Sequence, residues 1–284
     1  MIAIDTIAVI GAGTMGHGVA QVAAQAGFNV ALHDTTEALV GRGLANIREN
    51  LIKGVARGKV TDTELRDTLA RVRGTVDLLD AAGGAGLIIE AIVEKLDAKI
   101  ELFANLDALC KESAILATNT SSLSVELIAS ATHRPSRIIG MHFFNPPHIM
   151  KLIEVIRAPE TSDETLAAVL AVAARMGKEA ITVKDSPGFA TSRLGVAIGL
   201  EAMRMLEEGV ASAEDIDKAM VLGYNHPMGP LRLSDLVGLD VRLNIAEYLN
   251  EKLGTAVFSP PDILKRKVAE GKLGKKAGEG FYKW

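Results

Sequence analysis

The chain has 284 residues, and 48% of them are hydrophobic, which is enough to build the cores of two domains of ordinary size. Its formal net charge of −4 gives no electrostatic reason to expect a nucleic acid as partner. The single cysteine excludes an internal disulfide, and no apolar run approaches the ~18 residues that a membrane span needs. The N-terminal residues do not read as a signal peptide, so we expect a cytoplasmic protein without a membrane partner.

Short apolar runs alternate with helical patterns in the first part of the chain. Runs of about four apolar residues are typical of strands that are buried on both faces of a parallel sheet. By this criterion we predict seven strands, at residues 7–10, 28–33, 87–89, 114–117, 138–141, 152–156 and 180–183.

The segments between these runs have the periodicity of amphipathic helices. Apolar residues recur every three or four positions over residues 40–55, which predicts one long helix. Thr61 and Glu64 have the spacing of a capping box, and the predicted helix that follows continues to Val72. Strands that alternate with helices in this way indicate a doubly wound α/β domain.

The pattern changes at residues 185–189, where Asp-Ser-Pro-Gly-Phe forms a turn-rich break. Strand signals nearly vanish beyond it. A helix start is predicted at Ser212, and helical patterns resume at Leu231 and Val241. We therefore predict an N-terminal Rossmann-like α/β domain and an all-α C-terminal domain, at residues 1–184 and 185–284.

A G-x-G-x-x-G string follows the first predicted strand and opens a helical pattern. Its first glycine permits a tight turn, its second allows close approach to a pyrophosphate, and its third allows helix and strand to pack closely. The free N–H groups of a helix N-terminus would then face the phosphates. The string predicts a dinucleotide site, although a helix cap in a glycine-rich loop is the simpler alternative. The predicted loop residues are Gly11, Gly13, Thr14, Met15 and Gly16.

Asp34 ends the second predicted strand, 18 residues after Gly16. A carboxylate at this place bonds both ribose hydroxyls and repels a 2′-phosphate, which favours NAD over NADP. The neighbours His33, Thr35 and Thr36 do not supply the arginine that NADP sites often use. An ordinary strand-end turn residue is the alternative interpretation of Asp34.

His142 and Glu154 are the candidate catalytic pair. A histidine at the end of a strand reaches a cleft from a rigid backbone, and imidazole can take a proton from an alcohol and return it. Glu154 lies in an otherwise apolar run, where a carboxylate needs a partner. A bond between the two would fix the tautomer of His142 and favour its protonated form. Taken singly, a histidine or a glutamate is more often structural.

The loop at residues 119–122 follows the strand predicted at 114–117, and ligands of open α/β sheets bind beyond the carboxyl ends of strands. Ser121 is placed to bond the oxygen of a substrate or the carboxamide of nicotinamide. The alternative is an N-cap of the helix that begins near Leu123, and adjacent serines allow both roles.

These motifs together resemble the L-3-hydroxyacyl-CoA dehydrogenase family, which includes bacterial 3-hydroxybutyryl-CoA dehydrogenases. The resemblance covers essentially the whole chain, and its motifs occur in the order typical of the family. The segments that carry it are residues 11–18, 119–122, 142–146, 185–189, 227–230 and 274–282.

The resemblance implies an NAD-dependent enzyme that oxidises the 3-hydroxyl of an acyl-CoA, as a homodimer and without a metal. It implies that His142 is the general base paired with Glu154, and that Ser121 contacts both substrate and nicotinamide. Lys53 falls near the position where the family contacts the CoA phosphates, although a solvated helix face is the alternative. Further positions that line the NAD site by resemblance are Glu94, Lys99, Asn119, Asn145 and Lys276.

Ser192 departs from the family pattern. The family usually has asparagine at this place after Pro-Gly-Phe, as part of its active-site polar set. Serine donates and accepts a hydrogen bond but has a shorter reach, so the change bears on substrate preference and rate more than on reaction type.

Two other functions remain open at this point. A dehydrogenase of a free hydroxy acid or sugar acid would share the fold, but such relatives generally lack the string at residues 142–146. A non-catalytic NAD-binding protein is the third hypothesis, and the presence of Ser121, His142 and Glu154 argues against it.

Overall fold

The computed structural model describes residues 4–284, and its contacts divide the chain into two compact units. The first unit ends at Asp185, and the second comprises Ser186–Trp284. Within residues 4–284, no helix is both long enough and apolar enough to cross a membrane.

The first unit is built on one eight-stranded sheet, in the order β3-β2-β1-β4-β5-β6-β7-β8. Neighbouring strands are parallel except β6 and β7, which pair antiparallel. The order reverses between β1 and β4, which is the point where open α/β sheets bind ligands at their carboxyl edge. The strands are β1 Thr6–Ile10, β2 Asn29–His33, β3 Val72–Thr75, β4 Leu87–Glu90, β5 Ile115–Thr118, β6 Ile138–Phe143, β7 Leu152–Arg157 and β8 Glu179–Lys184.

Within the described part of the first unit, seven α-helices accompany this sheet, and most of them contact its strands. The strands β1, β4 and β5 are almost entirely buried, as their continuous apolar runs predict. The helices are α1 Gly16–Gln25, α2 Glu37–Ala56, α3 Asp62–Ala70, α4 Leu78–Ala82, α5 Leu96–Leu109, α6 Val125–Ala129 and α7 Asp163–Arg175.

The structure confirms the seven predicted strands and the capping box at Thr61 and Glu64, but it adds the strand β3. Val72 was predicted to continue the helix, and this prediction is wrong because α3 ends at Ala70 and Val72 begins β3. This edge strand reads Val-Arg-Gly-Thr and is half-exposed, so it has no apolar run to reveal it. Gly74 is required there because a Cβ would overlap the side chain of Val40.

The second unit is helical, as the sequence predicts, with a core drawn from all five of its α-helices and from Phe258 in a short helical turn. Among Ser186–Trp284 the only β pairing is two isolated bridges in the C-terminal tail. Ser212 caps a helix as predicted, because its side chain accepts a hydrogen bond from the backbone N–H of Asp215. The helices are α8 Thr191–Glu207, α9 Ala213–Gly223, α10 Pro230–Val237, α11 Leu239–Leu253 and α12 Asp262–Ala269.

Hydrogen bonds to Asp235 hold the C-terminal tail of this unit against α10. Its buried carboxylate accepts hydrogen bonds from the backbone N–H groups of Phe281 and Tyr282, each at 2.8 Å, and from the indole N–H of Trp284 at 3.0 Å. A buried carboxylate is stable only with such partners, so the tail and Asp235 stabilise each other.

Candidate active site

The glycine-rich loop joins β1 to α1 at the carboxyl edge of the sheet. A Cβ at Gly16 would overlap the carbonyl oxygen of Gly11, so only glycine allows α1 to pack this closely. Gly13 and Thr14 are exposed, and a Cβ at Gly13 would meet no atom within 4 Å. The N-cap residue Met15 forms no side-chain cap, so the first turn of α1 is open to an anion. The loop therefore fits the pyrophosphate of NAD.

Asp34 lies beside this loop, directly after β2. Its carboxylate accepts hydrogen bonds from the backbone N–H of Ala12 at 2.8 Å and from that of Thr35 at 2.7 Å. The acid is thus tied to the loop and half-exposed, which suits a ligand of ribose hydroxyls. Burial lowers the pKa of the neighbouring His33, so this imidazole stays neutral and offers no positive charge to a 2′-phosphate.

His142 and Glu154 are directly opposite each other on the antiparallel strands β6 and β7. The His142 Nδ1 lies 2.7 Å from Oε2 of Glu154, whose side chain is completely buried. The imidazole also contacts the ring of Phe144, with 4.6 Å between ring centroids. The structure therefore brings together the predicted catalytic pair, and the bond at Nδ1 directs proton exchange to Nε2.

The loop that follows β5 connects this pair to the rest of the carboxyl edge. Oδ1 of Asn119 accepts a hydrogen bond from the backbone N–H of Phe143 at 2.8 Å and so fixes the end of β6. The helix α6 is capped by Ser124, whose hydroxyl accepts from the backbone N–H of Leu127. The alternative that Ser121 or its neighbour forms this cap is therefore wrong, because the helix begins later than the sequence pattern indicates.

The side chain of Glu94 contacts this loop, and the side chain of Lys99 contacts Glu94. The carboxylate of Glu94 accepts hydrogen bonds from the Ser121 backbone N–H at 2.8 Å and from the Thr120 hydroxyl at 2.5 Å. The ammonium of Lys99 lies 2.6 Å from Glu90 and 3.3 Å from Glu94, and its side chain is completely buried. Lys99 therefore presents no surface to a cofactor, whereas the side chain of Glu94 is 38% exposed.

Asn145 and Lys53 lie at the surface of the first unit. Asn145 is exposed, two residues beyond the end of β6. Lys53 is in the last turn of α2, where its ammonium lies 2.6 Å from the carboxylate of Glu49. Together with Arg57 and Lys59 it lines a cavity of about 370 Å³. Three cationic side chains around one cavity favour an anionic ligand.

Ser192 and Lys276 belong to the second unit. Ser192 is half-buried in the first turn of α8. The ammonium of Lys276 lies 2.6 Å from Oδ2 of Asp240. Burial opposes ionisation of Asp240, but the bonds from Lys276 and from the backbone of Val241 hold the pKa of Asp240 below its usual value. Lys276 is thus fixed by a carboxylate of its own unit.

Sequence analysis missed Glu90 and Thr120 as parts of this arrangement. Glu90 ends the apolar run of β4 and is completely buried. A carboxylate in an apolar run needs a partner, and this rule, which was applied to Glu154, applies equally to Glu90. Thr120 has no comparable signal, because a threonine in a loop is ordinary. Among residues 4–284, no group of three or more His, Cys, Asp or Glu is arranged to hold a metal ion.

Comparison with known proteins gives matches over both units. Residues 6–186 match the family described as "3-hydroxyacyl-CoA dehydrogenase, NAD binding domain", and residues 188–284 match "3-hydroxyacyl-CoA dehydrogenase, C-terminal domain". A probable 3-hydroxybutyryl-CoA dehydrogenase of Bacillus subtilis is 46% identical over 279 residues, which are 98% of this chain and 97% of the relative.

Two solved structures have the same fold over nearly their full length. The (S)-3-hydroxybutyryl-CoA dehydrogenase of Ralstonia eutropha has a TM-score of 0.97 and 41% identity, with 99% of both chains covered. A diketoreductase described as acting on dicarbonyl compounds has a TM-score of 0.87 and 30% identity, with 100% of both chains covered.

Proposed function

The chain belongs to the 3-hydroxyacyl-CoA dehydrogenase family of NAD-dependent oxidoreductases, and on this premise we propose that it reversibly oxidises the 3-hydroxyl of a short-chain 3-hydroxyacyl-CoA, with 3-hydroxybutyryl-CoA as the first candidate. The observation that carries the proposal is the buried bond between His142 and Glu154. A histidine oriented by a carboxylate at the carboxyl edge of this sheet is the proton acceptor that alcohol oxidation requires.

In the proposed mechanism, Nε2 of His142 takes the proton of the 3-hydroxyl. Glu154 stabilises the imidazolium that forms, because its carboxylate already bonds Nδ1. The hydroxyl of Ser121 positions the reacting oxygen by a hydrogen bond. The glycine-rich loop and Asp34 would hold NAD, which would supply the hydride acceptor. In the reductive direction, the protonated His142 returns the proton to the oxygen.

A CoA ester is preferred over a free acid because of the cationic cavity that contains Lys53. Arg57 and Lys59 add two further charges to it, and His148 lines the same cavity. Burial lowers the pKa of His148, and the charges of His17 and Lys178 add to this effect, as expected in positively charged surroundings. A flexible lysine in such surroundings suits the phosphates of CoA.

The direct test is the loss of NADH absorbance with acetoacetyl-CoA, repeated with free acetoacetate, with a longer 3-ketoacyl-CoA and with NADPH. We expect turnover with NADH and a CoA ester, and much slower turnover with the free acid or with NADPH. The His142→Gln variant should lose turnover by roughly 10²- to 10⁴-fold while it still binds NADH.

The second candidate is a dehydrogenase of a free hydroxy acid, and the structural likeness to a diketoreductase is the observation that favours it. Turnover of free carbonyl acids, together with none of any CoA ester by folded protein that binds NADH, would make this candidate the better one.

We also propose that the protein is a homodimer, with helices α8 and α9 at the interface. These helices leave an apolar cavity of about 460 Å³, lined by Ile198, Met205, Met220 and Tyr224 among others. Tyr224 is 75% exposed beside these apolar residues, and a contiguous exposed apolar patch marks an interaction surface. A second copy of the chain would cover this face. Sedimentation of the wild type and of the Tyr224→Asp variant tests the proposal, because only the variant should sediment as a monomer.

The proposed location is the cytoplasm. The single cysteine, Cys110, is a buried free thiol, which fits a reducing compartment. Fractionation of cells followed by activity measurement in each fraction tests this location.

A further inference from the structure

A network of charged side chains, most of them buried, contacts the loop that contains Ser121. Its centre is the ammonium of Lys99, which is completely enclosed and lies 2.6 Å from Oε1 of Glu90. Glu90 is also completely buried, and it accepts hydrogen bonds from the Ile92 backbone N–H and from the Thr118 hydroxyl, both at 2.7 Å. Every oxygen of Glu90 thus has a partner, which makes it a fixed anchor for the ammonium.

The second partner of Lys99 is Glu94, which links the network to the loop. Oε2 of Glu94 lies 3.3 Å from the ammonium. Its Oε1 faces the other way and accepts from the Ser121 backbone N–H at 2.8 Å, from the Ser121 hydroxyl at 3.2 Å and from the Thr120 hydroxyl at 2.5 Å. One carboxylate therefore connects a buried cation to the serine assigned to the substrate oxygen.

The ammonium of Lys99 stabilises this arrangement of carboxylates. A buried lysine without anionic partners is costly, and two neighbouring carboxylates without a cation would share a proton rather than both ionise. A protonated carboxyl at Glu94 would lose part of its capacity to accept three hydrogen bonds. Lys99 therefore acts on Ser121 through Glu94, and Glu90 acts on Lys99.

We propose that Lys99 and Glu90 are positioning residues that hold the Ser121 hydroxyl in place through Glu94. This inference rests on the proposed function, in which Ser121 orients the reacting oxygen. It assigns Lys99 a role different from the cofactor contact that the family resemblance implies, because the buried ammonium has no surface for a ligand.

The kinetic test compares Lys99→Met with the matched control Lys111→Met, in which the lost ammonium is exposed. For Lys99→Met we expect kcat to fall roughly tenfold to a hundredfold, since a misplaced contact costs about that much, while the Kd of NADH changes less than about threefold. A weakened NADH affinity with an unchanged kcat would overturn the proposal in favour of a cofactor role.

The second readout does not require activity. Hydrogen exchange at the backbone N–H of Ser121 should be faster in Lys99→Met than in the wild type, because the bond to Glu94 weakens. Equal exchange together with equal kcat would refute the network. If Lys99→Met does not fold, Glu90→Gln keeps an acceptor beside the ammonium and should show the same changes at smaller size. A wild type that turns over no CoA ester would refute the proposed function instead, and the exchange comparison would still decide the role of Lys99.

Discussion

The bond between His142 and Glu154 leads to a quantitative prediction for the Glu154→Gln variant. Glutamine keeps an oxygen that accepts a hydrogen bond from Nδ1, so the substitution removes the charge and leaves the shape nearly unchanged. Charge centres about 4 Å apart at an effective dielectric constant of about 20 attract each other by about 4 kcal/mol. If about two thirds of this energy stabilises the imidazolium in the transition state, the loss is roughly 10²-fold in kcat.

The assay is the steady-state oxidation of NADH with acetoacetyl-CoA, together with a separate measurement of NADH affinity. The matched control is Glu179→Gln, since Glu179 lies on the adjacent strand β8 with an exposed side chain. We expect the control to behave like the wild type and Glu154→Gln to bind NADH normally. A kcat of Glu154→Gln within about threefold of wild type would refute the reasoning, because an energy of this size has to appear in the rate.

Three further substitutions test other parts of the structure. Asp34→Ala should raise the KM for NADH at least roughly tenfold, measured in the same assay, because it removes the ribose ligand and leaves a backbone N–H of the glycine-rich loop unpaired. Asp235→Ala should lower the free energy of unfolding by about 2–4 kcal/mol, because three hydrogen-bond donors of the tail lose their acceptor. A denaturant titration measures this loss. A loss below about 1 kcal/mol would mean that the tail is held by its apolar contacts alone. Burial lowers the pKa of Arg242 to about 10, and its Nε has no partner among the residues that the structure describes. At neutral pH this cation destabilises the fold, and the penalty disappears only as the pH rises above about 10. Arg242→Met should therefore raise the free energy of unfolding by about 1–3 kcal/mol in the same titration, and a loss of stability would refute this reasoning. Arg266→Met, at an exposed position, serves as the control.

Local patterns in the sequence were sufficient for seven of the eight strands and for the fold class. Apolar runs predict the buried strands, because a strand covered on both faces excludes polar residues. The same rule predicts a partner for Glu154, and the antiparallel pairing of β6 and β7 supplies it. The edge strand β3 escaped prediction because its exposed residues place no such constraint on the sequence.

The sequence by itself determined the strand and helix pattern, the glycine-rich loop and the residues that need polar partners. These features follow from the local backbone geometry and from the cost of burying a charge, both of which can be read one segment at a time. Apart from the pair His142 and Glu154 and the local capping box at Thr61, the tertiary structure alone decided which partner each buried charge has. Lys99 is an ordinary helix residue in the sequence, and only the packing of α5 on the sheet encloses its ammonium between Glu90 and Glu94. Such contacts depend on how separate elements pack, and no local periodicity encodes that.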